Sequence, residues 1–208
     1  MKFDIIVWDW DNTLLDSRQA AELALNDMAK KHGLPKPTEA DVVNVIGSRR
    51  GEYWLKNYPK ATGKIIDEYL GFYVGHAKGC VRLFPEVPNA LSFVQKKGIP
   101  QVIASNKNQE ILDDEVRHFG IEGFFDKIVG GRGVSVAKPT VEFANIVLGK
   151  PWPKHILMIG DGESDMMFAK TMGAYALFMR AGGDKVSFPY HKWVQNMGEV
   201  LTFLKENL

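Results

Sequence analysis

"IIVWDWDNTLLDS", residues Ile5 to Ser17, decides the fold. Ile5, Ile6, Val7 and Trp8 make a short apolar run of the kind that forms a buried strand. Asp9 and Asp11 follow at once, separated only by Trp10. An ionised carboxylate inside such a strand is costly unless it is paired. The two acids therefore need the open end of a strand, a cation, or both.

Working outward, four further apolar runs read as buried strands: "PQVIAS" (100–105), "KIVG" (127–130), "ILMIG" (156–160) and "AYALFM" (174–179). Helical patterns lie between several of them. "VPNALSFVQKKG" puts Val87, Ala90, Leu91 and Val94 on one face and stops at Gly98; "VEFANIVLGK" and "SDMMFAKTMG" behave alike. Strands alternating with helices predict an α/β core with a parallel sheet covered on both faces.

Residues 17–82 break the alternation. They carry only helical signatures: "SRQAAELALNDMAKKHG", "TEADVVNVIG", "RRGEYWLKNY" and "KIIDEYLGFYVGHA", the last with Ile66, Tyr69, Leu70 and Tyr73 in an i, i+3, i+4, i+7 stripe. The expected division is an α/β core of residues 1–16 and 83–208 and a small all-α unit of residues 17–82. Its joints fall at Leu15–Ser17 and Arg82–Pro85. A helical layer of one common domain is the alternative, since compact layers are the default architecture.

Composition narrows the function classes. The 208 residues are 45% hydrophobic and 25% charged, enough for one well-cored domain with an insertion. A formal charge of +1 gives no bias toward nucleic acid or acidic lipid. Cys80 is the only cysteine, which excludes an internal disulfide and a cysteine-only metal cluster. Asp4 interrupts the opening apolar run as no signal peptide would, and no run approaches the ~18 residues of a membrane span. The expectation is a cytoplasmic protein with no nucleic-acid or membrane partner, a monomer or weak dimer.

In an open α/β sheet, ligands bind beyond the carboxyl ends of the strands. Here those ends carry Asp9 and Asp11, then Ser105-Asn106, then Asp161 with Asp165 one helical turn on, while Lys138-Pro139 precedes a helix. Carboxylates converging without a cation raise one another's pKa. A hard divalent ion with oxygen ligands removes the conflict, and Mg²⁺ suits a site of few carboxylates.

In chain order, Asp9-Trp10-Asp11-Asn12-Thr13, Ser105, Lys138-Pro139 and "GDGESD" (160–165) resemble the four motifs of the haloacid dehalogenase-like superfamily, closest to its phosphatase branch. The helical block falls where that family inserts an α-helical cap. The resemblance implies a Rossmann-like core, a small phosphorylated substrate and Mg²⁺. It implies Asp9 as the nucleophile that becomes an aspartyl-phosphate. Asp11 would be the general acid and base, also lending its main-chain carbonyl to the metal. Ser105 and the backbone N–H of Asn106 would bind the phosphoryl group, and Lys138 would neutralise charge on its oxygens and on Asp9. Asp161 would be a direct metal ligand beside Asp9 and Asp11, with Asp165 orienting a metal water or Lys138. Thr13 would support the turn after the nucleophile, or simply start a helix. Asn12 stands where Gly is more usual and tolerates a left-handed backbone. Glu163 reads as a first-turn acid favoured by the helix dipole, and the five histidines as structural or surface residues.

The resemblance leaves the leaving group open. A phosphoglycolate phosphatase-like hydrolase is the leading expectation, with a sugar-phosphate mutase as runner-up. A dehalogenase would not need Asp11, a phosphonate hydrolase would want a cap lysine, which Lys30, Lys31, Lys56, Lys60 and Lys64 leave open, and a non-catalytic binding module would have lost Asp9, Asp11 or Asp161. "VIGSRRGEYW" places Arg49 and Arg50 between two helical patterns of the proposed cap, where guanidinium groups could clamp an anionic substrate.

Overall fold

The structure is a computed structural model and describes residues 2–46, 63–131, 136–181 and 186–208. The chain forms two compact units, Met1–Leu14 with Leu83–Leu208, and Leu15–Arg82.

β1 (Ile5–Trp8) leads through Asp9 and its neighbours into the short β2 (Leu15–Asp16). Three described helices follow, α1 (Arg18–His32), α2 (Glu39–Ile46) and α3 (Gly63–Cys80), before β3 (Arg82–Leu83) pairs with β2. The chain then alternates: α4 (Val87–Lys96), β4 (Gln101–Asn108), α5 (Gln109–His118), β5 (Lys127–Gly131), α6 (Val141–Leu148), β6 (Ile156–Gly160), α7 (Glu163–Met172), β7 (Tyr175–Met179), β8 (Lys192–Val194) and α8 (Met197–Asn207).

The main sheet has the order β5-β4-β1-β6-β7-β8 and every pairing is parallel. β1 is central: Trp8 stands opposite Ile103 of β4 on one side and Ile159 of β6 on the other. All four β1 residues are buried. That continuous apolar run, without alternation, is what helices on both faces require. One side of the core gathers Val7, Phe143, Met158, Phe168 and Phe178. The helices start where short polar side chains satisfy their first N–H groups. Asn108 accepts from Glu110 N and Ile111 N to begin α5, Thr140 from Phe143 N to begin α6, and Asn196 from Glu199 N to begin α8.

The helical unit packs α1 on α3 through a small-residue face. Ala20, Ala21, Ala24, Leu25, Met28 and Ala29 are buried on α1, as are Tyr69, Tyr73 and Ala77 on α3. The stretch "RRGEYWLKNY", with Arg49 and Arg50, lies outside the described residues.

The elements differ from the sequence reading in particular places. β4 continues past Ser105 to Asn108, and Asn108 caps the next helix. α5, β8 and α8 add to the core elements read from the sequence, and the helical stretch is bracketed by the short β2 and β3. No helix among the described residues is long and apolar enough to cross a membrane.

Candidate active site

Asp9 is the first residue beyond β1. Its N–H continues the ladder to the Ile159 carbonyl at 2.9 Å, so its backbone is fixed by the sheet while its side chain leaves it. The chain then turns sharply. Thr13 N and Leu14 N both donate to the Trp10 carbonyl, and Asn12 takes a left-handed conformation with φ 59°. Asn is one of the few side chains that accepts this at small cost. The turn brings Thr13 Oγ1 back to donate to Asp9 Oδ2 at 3.0 Å. Thr13 is fully buried and lies on the turn, before the first helix.

The other oxygen of the same carboxylate, Asp9 Oδ1, accepts from Lys138 Nζ at 2.6 Å. Lys138 is buried and also donates to Asp165 Oδ1 at 2.5 Å. It precedes Pro139 through a cis peptide bond, and its N–H donates to Asn106 Oδ1 at 2.8 Å. Asn106 thus ties the end of β4 to the lysine. Asp165, in the first turn of α7, also accepts from Gly162 N at 3.0 Å through Oδ2.

The end of β4 is irregular. Ala104 pairs with Val129 and Asn108 with Gly131, so β4 advances four residues while β5 advances two. Such a bulge re-aims side chains, and here it carries Ser105, Asn106 and Lys107. Gly130 is what lets it fit: a Cβ there would lie 2.7 Å from the Lys107 carbonyl oxygen and 2.8 Å from Gln109 Cα. Ser105 Oγ is buried and accepts from Lys107 N at 3.1 Å, which leaves its hydroxyl proton to donate.

Carboxylate oxygens of Asp9, Asp161 and Asp165 lie within 4.8 Å of one another, a group that could hold a metal ion. Lys138 is the ammonium paired with two of these three acids. Loss of water, then the neighbouring Asp165, pushes the Asp9 carboxyl up to about 7, against the opposing pull of Lys138. Loss of water, then Asp9 and Asp165, holds Asp161 well above the ordinary carboxylate range. For Lys138, burial disfavours the charge, but Asp165 and Asp9 outweigh it and the pKa ends above its usual value. Negative charge here exceeds what one ammonium neutralises, and the donors are all hard oxygens, so the residues fit a small divalent cation. The Asp11 side chain stands outside this group.

Residues 6–179 match the family model for haloacid dehalogenase-like hydrolases. The chain belongs to that family. This hydrolase is 28% identical over 198 residues to a phosphoglycolate phosphatase of Haemophilus influenzae, which covers 87% of each chain. It is 27% identical to a phosphoglycolate phosphatase of Pasteurella multocida, over 98% of this chain and 99% of the other. A haloacid dehalogenase-like family protein of Streptococcus pneumoniae shares the fold with a TM-score of 0.74 at 21% identity, covering 97% of this hydrolase and 98% of that chain.

Sequence reasoning about this hydrolase passed over a second buried lysine. Lys107 Nζ lies 2.7 Å from Asp11 Oδ1 and 2.7 Å from Glu115 Oε2. Trp10 Nε1 donates to that same Glu115 oxygen at 2.7 Å. Gly160 was also passed over, though a Cβ there would meet Asp165. The histidines make contacts of their own: His76 pairs with Asp27, His32 with Glu68 and His155 with Asp4, His191 accepts from Ala176 N, and His118 packs on Phe119.

Proposed function

We propose that this chain is a Mg²⁺-dependent phosphatase that hydrolyses small phosphorylated metabolites through an aspartyl-phosphate on Asp9. The observation that carries the reading is the hold on Asp9. One oxygen is fixed by Lys138 and the other by Thr13, at the carboxyl end of the central strand, while Asp11 is held separately two residues on. A carboxylate so oriented is prepared to attack, not merely to be solvated.

Asp9 attacks phosphorus as the bond to the leaving oxygen breaks, and Asp11 gives that oxygen its proton. Asp11 then takes a proton from water, whose oxygen attacks phosphorus and releases Asp9 with inorganic phosphate. Lys138 and the Ser105 hydroxyl face the charge spread over the phosphoryl oxygens, with the Asn106 N–H as a further donor. Asp9, Asp161 and the Asp11 main-chain carbonyl would hold Mg²⁺, which would supply further positive charge to those oxygens. Asp165 keeps Lys138 in place through its 2.5 Å contact. The helical unit, inserted directly after the Asp9–Thr13 segment, serves as the cap, and Arg49 and Arg50 read an anionic leaving group. The kinship with phosphoglycolate phosphatases favours a small carboxylated ester such as 2-phosphoglycolate.

The test is a panel of phosphorylated metabolites with Mg²⁺ and with a chelator, read by phosphate release, for the wild type and Asp9→Asn. Turnover should need the cation and vanish in the variant. Phosphate release at wild-type rates from Asp9→Asn would remove the nucleophile from the scheme.

A further inference from the structure

Burying Lys107 calls for an explanation that the reaction scheme does not contain. The residue is 5% exposed, Glu115 6% and Trp10 fully buried. Lysines are almost never buried unless paired, and a buried pair seldom adds net stability over a well-packed apolar pair. Burial disfavours the Lys107 charge, yet Asp11 and Glu115 together hold its pKa above the ordinary value.

The contacts form a closed loop. Trp10 and Asp11 are neighbours in the segment after β1, Lys107 comes from the bulge of β4 and Glu115 from α5. Trp10 Nε1 and Lys107 Nζ converge on Glu115 Oε2, and Lys107 Nζ continues to Asp11 Oδ1, each step 2.7 Å. The backbone between Trp10 and Asp11 completes the circuit. Asp11 sits on a tight turn next to the left-handed Asn12. Here one of its oxygens is fixed to an ammonium that is itself fixed from behind.

We propose that Lys107, backed by Glu115 and Trp10, is a positioning residue that sets the Asp11 carboxylate for proton transfer to the leaving oxygen. This rests on the acid–base role given to Asp11 above. Glu115 acts through Lys107: it offers the second negative charge that keeps the ammonium in the interior and aims it.

The test separates positioning from simple structural support by the leaving group. Lys107→Met is compared with wild type, with Mg²⁺ present, on an alkyl phosphomonoester and on p-nitrophenyl phosphate, whose leaving group needs no proton. Turnover of the alkyl ester should fall at least ~10-fold in kcat with little change in KM, the lower part of what a misplaced general acid costs. Single-turnover release of p-nitrophenolate should stay within about 3-fold of wild type. Adding Lys107→Met to Asp11→Asn should cause no further loss on the alkyl ester. Because Lys107→Met leaves the Glu115 charge buried without its ammonium, Lys107→Met with Glu115→Leu provides a chain without either buried charge, and it should show the same selectivity. Equal losses on both substrates, wild-type rates on both, or a further loss in the Asp11→Asn background would each overturn the proposal. Asp11→Asn alone tells the two failures apart. If it lacks the leaving-group selectivity, the acid–base role falls and the positioning with it; if it shows the selectivity and the Lys107 variants do not, the positioning alone falls.

Discussion

Gly160→Ala is the smallest change that should disable the site. A Cβ built on Gly160 lies 2.4 Å from both Cβ and Cγ of Asp165 and 2.6 Å from its Oδ2. Neither partner can yield cheaply. Gly160 ends β6, which is paired on both sides with β1 and β7, and Asp165 is in the first turn of α7. Relief requires Asp165 to rotate, which breaks its contacts with Lys138 Nζ and Gly162 N. Overpacking costs ~1–3 kcal/mol and a hydrogen bond to a charged group ~1.5–3, so a stability loss of about 3–5 kcal/mol is expected. Lys138 would keep Asp9 but lose its second anchor, and a displacement of about 1 Å in such a group can cost ~10²-fold in kcat. Urea unfolding and steady-state phosphate release measure the two effects. Gly162→Ala is the control: its Cβ would lie 3.5 Å from Asp165 Oδ2, an ordinary contact, and its φ of −129° suits alanine. A Gly160→Ala protein within about 1 kcal/mol and 3-fold of wild type would refute the reasoning, because overpacking alone should exceed that.

Removing the metal should make stability depend on pH in a definite direction. In chelator, Asp9 near 7, Asp161 and Glu115 above their ordinary values all keep protons in the folded chain that the unfolded chain has already released. Stability should therefore be fullest below the unfolded carboxylate range and decline as pH rises through about 7, while Lys138 stays charged throughout. Added Mg²⁺ should stabilise most at the upper end, and a flat pH profile of urea midpoints in chelator would contradict this. Gln101→Leu should separate fold from chemistry. Gln101 Oε1 accepts from Trp8 Nε1, and its Nε2 donates to the Leu91 and Phe124 carbonyls, at the end of β4 away from Ser105. Losing these hydrogen bonds should cost ~2–4 kcal/mol in urea unfolding, with kcat unchanged; a large fall in kcat would show that the two ends of β4 are coupled.

The opening strand was legible because a parallel strand buried on both faces leaves an unbroken apolar run. β8 was not: it is three residues long, with Lys192 exposed and Trp193 half-buried. α5 was hidden for a more informative reason. Its buried face is Leu112, Glu115 and Val116, and a carboxylate in that stripe erases the periodicity that marks a helix. The same residue explains why Lys107 went unnoticed. A lysine in a polar run has every appearance of a solvated side chain until its partner on another element is known. Asp9, Ser105, Lys138 and Asp161 could be singled out because each closes or follows an apolar run or precedes a proline. The contacts that orient them come from a bulge and a left-handed turn, neither of which has a periodic signature.

The two lysines make the two acids after β1 chemically different. Each ammonium is shared by two carboxylates, Lys138 by Asp9 and Asp165, Lys107 by Asp11 and Glu115. The resemblance ends there. The Lys138 group has a third carboxylate, Asp161, packed against it, so three acids there share one ammonium. The Lys107 group has instead a neutral donor, the Trp10 indole, on its rear carboxylate. A divalent cation would therefore relieve repulsion on the Asp9 side, while the Asp11 side is tied to its own ammonium. Two carboxylates only one residue apart are in this way kept for different work. One lies among the oxygens that could hold a metal and the other is held by an internal cation; in the proposed scheme the first attacks phosphorus and the second moves protons.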